Sequence, residues 1–117
     1  MKNKPFLDRL GFAWHGLRSA VQHEKSFRTQ LYFAAMTLVI FLILQPDLIW
    51  WAIIILMIAL VLAAELVNTS LEHLADHLHP EEHPKIKLVK DCAAASVLLL
   101  SFAAAIIGCL AIVSTLG

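Results

Sequence analysis

The sequence predicts an all-α integral membrane protein, built of an N-terminal amphipathic surface helix and three transmembrane helices. Hydrophobic residues make up 60% of the 117 residues and charged residues only 15%, a composition too apolar for a soluble domain of this length. The apolar residues are concentrated in three runs, over 31–44, 48–64 and 93–116, and every charged residue lies before or between these runs. We therefore expect a single membrane-embedded domain over residues 1–117.

The surface helix is expected over residues 5–25. Its apolar side chains fill an arc of roughly 120° on a helix, and they are Phe6, Leu7, Leu10, Ala13, Trp14, Leu17 and Val21. An apolar face with aromatic residues and flanking Lys and Arg is typical of a helix at the membrane interface. Continuing this helix would turn Glu24 and Arg28 toward its apolar side, which directs a carboxylate at the membrane-embedded helices.

Each apolar run is expected to contain one transmembrane helix, and the three helices are predicted over 27–45, 48–78 and 85–116. A helix needs about 20 residues to span the hydrocarbon core, so the first run is extended at its start by residues 27–30. The last turns of the second helix should extend past the membrane. A soluble three-helix bundle is disfavoured, because the third run has no polar face to turn toward water.

Two prolines and two tryptophans mark the ends of these helices. Pro46 fits a tight turn between the first two spans, and Trp50 and Trp51 are expected at the outer membrane interface. Pro84 is expected to open the third span at its first position, where its missing N–H has no cost.

The basic residues are distributed unevenly along the chain. Six of the nine Lys and Arg precede residue 29, and the other three lie between the second and third runs. By the positive-inside rule, the N-terminus and the second loop are cytoplasmic and the C-terminus lies outside. No cleavable signal peptide is expected, because the first thirty residues contain no uninterrupted apolar core. Cys92 and Cys109 suggest neither a disulfide framework nor a zinc site.

Five polar side chains share one stripe of the predicted second helix. They are Glu65, Asn68, Thr69, Glu72 and Asp76, and they fall within an arc of about 100°. A carboxylate inside a membrane is costly unless it is paired, protonated or bound to a cation, so its presence indicates a functional site.

The two glutamates of this stripe lie about 10 Å apart along the helix axis and should have different roles. Glu72 is nearer the cytoplasm, where it can meet Mg²⁺, an ion that favours one or two carboxylates plus substrate phosphates. Glu65 is deeper, in an environment suited to a general base. With Glu24 and the Lys90-Asp91 pair, these residues suit phosphoryl transfer, for which a Gly-rich loop is not obligatory.

From the residues alone, three interpretations stay open for the stripe. The first is phosphoryl transfer. The second is a small oligomeric proton- or cation-conducting or transporter-like protein that uses the same buried carboxylates. The third is purely structural bonding between helices.

The histidines near the stripe allow two interpretations. His73 and His77 are four residues apart, and His79 and His83 follow them. They do not form the H-E-x-x-H zinc motif, because Leu74 follows His73. They also lie off the acidic stripe, which favours solvated cytoplasmic side chains over nucleotide or metal contacts.

The polar residues form a pattern that resembles a known signature. The sequence contains E-x-x-N-[ST]-x-x-E-x-x-x-D from Glu65 to Asp76, followed by Lys90-Asp91. This combination closely resembles that of the prokaryotic diacylglycerol kinase family, which includes the undecaprenol kinases. Two N-terminal segments, 14–18 (WHGLR) and 24–28 (EKSFR), also resemble this family, so the resemblance covers nearly the whole chain.

The resemblance implies a small multi-pass enzyme of the bacterial cytoplasmic (inner) membrane, usually a homotrimer. It implies transfer of the γ-phosphate of ATP, bound with Mg²⁺ at the cytoplasmic face, to the hydroxyl of a membrane lipid. No nucleic-acid partner is expected.

The same resemblance assigns roles to matched residues. Glu65 is implied as the general base, with Asn68 in the catalytic site, and Glu24 and Glu72 as the Mg²⁺ ligands. The ATP-binding residues implied are Glu24, Glu72, Asp76, Glu82, His83, Lys90 and Asp91. The lipid-substrate residues implied are Arg18, Phe27, Arg28, Gln30 and Glu65.

Some positions depart from the enterobacterial diacylglycerol kinases. Gln30 stands in place of an acid, Phe12 in place of a tyrosine, and Ala93-Ala94 in place of a Gly-Ser pair. Other features, such as Asn68-Thr69 and the His83-Pro84 pair, are more similar to the undecaprenol kinases. The sequence therefore leans toward undecaprenol as the acceptor but leaves diacylglycerol open, and both lipids are primary alcohols.

Overall fold

The structure, a computed structural model, describes residues 2–117 and contains four α-helices. Helix α1 spans Phe6–His23, α2 spans Lys25–Leu44, α3 spans Leu48–Leu78 and α4 spans Pro84–Leu116. No β-strand occurs within the described residues. Helices α2, α3 and α4 are long and apolar enough to cross a membrane. The predicted all-α class, with a short amphipathic helix before three apolar spans, is confirmed.

Helix α1 contacts the rest of the protein over a small surface. Ala20 is its buried residue, whereas Phe6, Leu7 and Trp14 are each about two-thirds exposed or more. Large apolar side chains that find no protein partner suit the headgroup and acyl-chain boundary of a membrane. The exposed apolar face is consistent with the predicted surface helix.

A three-residue turn joins α2 to α3. Gln45 adopts a left-handed conformation, with φ 50° and ψ 61°. Its backbone N–H donates to the carbonyl of Phe41 at 2.8 Å, and its side-chain Nε2 donates to the carbonyl of Leu42 at 2.8 Å. These bonds satisfy carbonyls that the end of a helix would otherwise leave without partners. The predicted turn at Pro46 is confirmed.

The apolar core lies at the end of the bundle next to this turn. Phe41, Ile54 and Ala111, one from each long helix, are almost fully buried there. Trp51 packs edge-on against Phe41 with ring centroids 5.4 Å apart. Trp50 also packs on this core, and both indoles are half-buried. The sequence predicted them as interfacial residues, but the short turn brings the start of α3 against the end of α2, so they also contribute to packing.

The other end of the bundle is polar and carries the loop between α3 and α4. Helix α3 has 31 residues and is about 46 Å long, more than the hydrocarbon thickness of about 30 Å. Helix α4 begins at Pro84, as predicted, and the Nδ1 atom of His83 accepts a hydrogen bond from the backbone N–H of Lys85 at 3.1 Å. The polar stripe thus continues from the middle of α3 toward this loop.

Candidate active site

Glu65 is the central feature of the polar stripe. The residue is 4% exposed, and among residues 2–117 it is the only polar or charged residue that is buried. The Oε2 atom accepts a hydrogen bond from Ser26 Oγ at 3.0 Å. Ser26 lies in the first turn of α2, so this bond joins α2 to the middle of α3. A buried carboxylate requires such a partner, because it has lost its hydration.

Asn68 lies one helical turn after Glu65 on the same face of α3. Its Oδ1 atom is buried and has no hydrogen-bond partner among the described residues. Buried polar atoms are nearly always paired, so an unpaired one calls for an explanation such as a water or a ligand. A buried acid next to an unsatisfied amide oxygen indicates a site that binds a polar ligand.

Glu24 occupies the junction between α1 and α2. Its Oε1 atom lies 2.8 Å from His73 Nε2, within hydrogen-bond distance. His73 directly follows Glu72 in α3, so this contact brings the α1–α2 junction against the turn of α3 that carries Glu72. Two acids that are 48 positions apart in sequence are thereby placed in the same region of the fold.

Two of these partners were not predicted from the sequence. The sequence does not indicate Ser26 as a site residue, and it favours a solvated environment for His73. His73 is indeed 72% exposed, yet it contacts a carboxylate on another element. No periodic pattern within one helix reveals such contacts, because both cross between helices.

A polar cavity of about 600 Å³ lies at the loop end of the bundle. It is lined by the 79–84 loop and by side chains from α3 and α4, and four of the predicted ATP-binding residues take part: Asp76, Glu82, His83 and Lys90. Lys90 of α4 forms an ion pair with Asp76 of α3. The lining contains two lysines, Lys87 and Lys90, together with the carboxylates of Asp76, Glu81 and Glu82, and lysines at a concave surface suit a phosphate-bearing ligand.

The remaining predicted nucleotide residues lie outside the lining of this cavity. Asp91 accepts a hydrogen bond from Lys87, which does line the cavity, at 2.6 Å. Glu24 lies at the α1–α2 junction, against the turn of α3 that carries Glu72. On α3, Glu72 lies between Glu65 and Asp76, which lines the polar cavity. The predicted acids therefore form a series that leads from the loop toward the buried carboxylate.

A second, mostly apolar cavity of about 460 Å³ lies between α2, α3 and α4. Val61 and Leu62 line it, and they lie on the turn of α3 that precedes Glu65. Gln30 and Ser101 also line it, and Gln30 Nε2 donates to Ser101 Oγ at 3.3 Å. Gln30 is one turn after Ser26 on α2. The apolar cavity therefore reaches the helical turns that hold the Ser26–Glu65 pair.

The other predicted lipid residues have different surroundings. Arg18 lies on the exposed surface of α1, and Phe27 is 2% exposed and packs inside the protein. Arg28 Nη1 donates to the carbonyls of Val21 and Gln22 at 3.0 and 3.1 Å. Arg28 thus links the end of α1 to the start of α2 through these two hydrogen bonds.

Comparison with known proteins identifies the family of the chain. Residues 11–112 match the family described as prokaryotic diacylglycerol kinase. The undecaprenol kinase of Bacillus subtilis (strain 168) is 32% identical over 98 residues, which are 84% of this chain and 80% of that protein. The diacylglycerol kinase of Escherichia coli (strain K12) is 31% identical over 107 residues, or 92% of this chain and 88% of that protein.

A third relative, the diacylglycerol kinase of Helicobacter pylori, is 32% identical over 96 residues, which are 82% of this chain and 75% of that protein. The resemblance seen in the polar motifs is therefore part of a similarity along most of the sequence. The chain belongs to the prokaryotic diacylglycerol kinase family.

Proposed function

We propose that this lipid kinase transfers the γ-phosphate of Mg-ATP to the primary hydroxyl of a membrane lipid, with Glu65 as the general base. The observation that carries the proposal is the position of Glu65: a carboxylate that is 4% exposed beside the turns that line an apolar cavity. A lipid chain fits an apolar cavity, and only its hydroxyl needs a polar partner.

Proton transfer is the step assigned to Glu65. The lipid hydroxyl approaches from the apolar cavity and gives its proton to the carboxylate as its oxygen bonds to the γ-phosphorus. The bond from that phosphorus to the β-phosphate oxygen breaks, and ADP leaves. General-base catalysis of this kind contributes about 10²–10⁴-fold in rate. The unpaired Oδ1 of Asn68 supports a polar ligand group at the same depth.

Nucleotide binding is assigned to the polar cavity. Lys90, now paired with Asp76, supplies a positive charge for the triphosphate, and His83 and Glu82 in the loop lie against the nucleotide. Asp76 and Asp91 keep the two lysines, Lys90 and Lys87, in place through their ion pairs. Positioning and electrostatic stabilisation are the main contributions that a protein makes to phosphoryl transfer.

The donor set between the two cavities fits Mg²⁺. Among residues 2–117, no three His, Cys, Asp or Glu side chains are arranged to hold an ion by themselves. Mg²⁺ does not need such a cage, because it binds through one or two carboxylates plus phosphate oxygens and water. Glu24 and Glu72 would supply the carboxylates, and the ion would neutralise part of the triphosphate charge.

The acceptor is proposed to be undecaprenol or diacylglycerol. Both are primary alcohols, so the same base serves either one. Features such as Asn68-Thr69 and His83-Pro84 favour undecaprenol. Assaying the two lipids side by side at equal mole fraction, and comparing kcat/KM, decides between them.

We also propose a cellular location, a membrane orientation and an oligomeric state for the enzyme. The distribution of Lys and Arg supports a cytoplasmic N-terminus and an outward C-terminus, and the family resemblance supports the cytoplasmic (inner) membrane of a bacterium and a homotrimer. Large apolar side chains remain exposed along all three long helices, which is compatible with contacts to lipid and to neighbouring protomers.

The test is lipid phosphorylation by purified protein in mixed micelles with γ-labelled ATP. Glu65→Gln keeps the size of the side chain but cannot accept the proton, so transfer should fall by at least about 100-fold with unchanged thermal unfolding. Undiminished transfer by this variant would remove Glu65 from the mechanism. Ion flux through liposomes without ATP, together with no lipid phosphate, would contradict the kinase assignment and favour an ion-conducting protein.

A further inference from the structure

We propose that Ser26 is a positioning residue for phosphoryl transfer: its hydroxyl holds the Glu65 carboxylate so that one carboxylate oxygen faces the acceptor alcohol. This inference rests on the proposed role of Glu65 as the base. It adds a residue that belongs to neither the nucleotide site nor the set of predicted lipid contacts.

The hydrogen bond of Ser26 differs from those of the other hydroxyl side chains in the helices. Five of these hydroxyls donate to a backbone carbonyl three or four residues earlier in their own helix, and they belong to Thr29, Thr37, Ser70, Ser96 and Thr115. Ser26 instead donates across to the buried acid of α3 at 3.0 Å. Its hydroxyl is therefore used between helices rather than within one.

The position of Ser26 explains this difference. It lies in the first turn of α2, so the carbonyl four residues earlier belongs to Gln22 in α1. That carbonyl accepts a hydrogen bond from Arg28 Nη1 at 3.1 Å. The Ser26 hydroxyl is thus free to turn toward α3.

The chemistry of the pair gives the hydrogen bond a function. A glutamate side chain has three rotatable bonds, and a carboxylate has two oxygens that can accept a proton. Ser26 donates to Oε2, which leaves Oε1 for the lipid hydroxyl. Fixing the base in this way matters because a misplacement of about 1 Å at a reacting group can cost about 100-fold in rate.

The Ser26–Glu65 pair also lies between the proposed Mg²⁺ ligand Glu24 and the apolar cavity. Ser26 is two residues after Glu24, which is assigned to Mg²⁺, and four residues before Gln30, which lines the apolar cavity. Glu65 is therefore held between the apolar cavity and Glu24, the proposed Mg²⁺ ligand. Loosening it should favour water over lipid as the acceptor of the phosphate.

The test compares Ser26→Ala, which removes the hydroxyl, with Ser26→Thr, which keeps it. In Ser26→Ala, kcat for lipid phosphorylation should fall about tenfold, the effect of one hydrogen bond to a charged group. The KM values for ATP and lipid should change less than twofold. The ratio of inorganic phosphate released to lipid phosphate formed should rise, and Ser26→Thr should restore both kcat and this ratio.

Ser70→Ala is the matched control. It makes the same chemical change on the neighbouring helix, at a hydroxyl that bonds to its own helix through the carbonyl of Leu66 at 2.9 Å. Its kinetics should equal those of the parent protein. Thermal unfolding midpoints are measured for all variants, so that a loss of fold is seen separately from a loss of rate.

Three outcomes would overturn the role of Ser26. Wild-type kcat and phosphate ratio in Ser26→Ala, with Glu65→Gln inactive, would reject this inference and leave the proposed function intact. A lowered unfolding midpoint with an unchanged phosphate ratio would make Ser26 a structural residue only. Full activity in both Ser26→Ala and Glu65→Gln would reject the role of Glu65 as well.

Discussion

The burial of Glu65 is costly, and its cost supports a functional explanation. Removing an ionised carboxylate from water costs several kcal/mol even after the protein relaxes, and one hydroxyl hydrogen bond to a charged group returns only about 1.5–3 kcal/mol. A structural role would be served at lower cost by an apolar side chain. The proposed role of Glu65 as a base, next to the unpaired oxygen of Asn68, accounts for an acid at that depth.

Lys90 should contribute to nucleotide binding much more than to stability. Its ion pair with Asp76 is partly exposed, and solvent-exposed pairs contribute little to the stability of a fold. Lys90→Gln should therefore raise the KM for ATP about tenfold, because a charged contact to phosphate is lost. The KM for lipid and the unfolding midpoint should stay close to those of the parent protein.

Lys85→Gln is the control for this experiment. Lys85 is in the first turn of the same helix but outside the lining of the polar cavity. Equal effects of the two substitutions would indicate a general loss of charge. An unchanged KM for ATP in Lys90→Gln would mean that the nucleotide binds elsewhere.

At the residue scale, the sequence predicted the stripe but not its partners. Glu65, Asn68, Glu72 and Asp76 share one helical face, and the 3.6-residue period alone places them together. The Ser26–Glu65 and Glu24–His73 contacts join residues 39 and 49 positions apart. Such contacts depend on how helices pack, which the period of a single helix does not determine.

At the element scale, helix positions were predictable because the membrane thickness and the turn residues set them. The long helices begin and end near the predicted residues, with Pro84 as the first residue of α4. The packing of Trp50 and Trp51 against the core was not predicted. Their hydropathy suits both the membrane interface and a half-buried position, and only the short turn decides between these environments.

Gln45 is expected to be sensitive to the shape of its side chain. A non-glycine residue in the left-handed region costs about 1–2 kcal/mol, and a β-branched one costs more. Gln45→Val also loses the side-chain bond to Leu42. This variant should lower the free energy of unfolding by about 1–2 kcal/mol, measured by reversible denaturation in detergent.

Two further variants are controls for Gln45→Val. Gln45→Gly relieves the backbone strain and loses the same side-chain bond, so its stability should lie within about 1 kcal/mol of the parent protein. Thr37→Val introduces a valine in the middle of α2 with the backbone in ordinary helical geometry. If Gln45→Val were as stable as the parent, the turn would not require its left-handed residue.

At the scale of the whole molecule, the charge distribution and the helix count together fix the proposed orientation. Asn3→Cys and Ser114→Cys, each made after Cys92→Ser and Cys109→Ser, place single thiols near opposite ends of the chain. In intact bacterial spheroplasts, a membrane-impermeant maleimide should label the variant at position 114 but not the one at position 3. Permeabilisation should expose position 3, because a cytoplasmic N-terminus is then accessible.

The reverse labelling pattern would invert the orientation and place the polar cavity on the outer face, away from cytoplasmic ATP. The fold class and the family follow from the sequence with little help from packing. The nucleotide, metal and lipid assignments depend in addition on contacts between helices.

The most direct test of the central claim is single-turnover phosphate transfer by Glu65→Gln with bound Mg-ATP and saturating lipid. The proposed role of the buried carboxylate as the base predicts that the variant binds ATP as tightly as the parent protein and transfers its γ-phosphate at least about 100-fold more slowly. Transfer at the parental rate with unchanged ATP binding would contradict the claim.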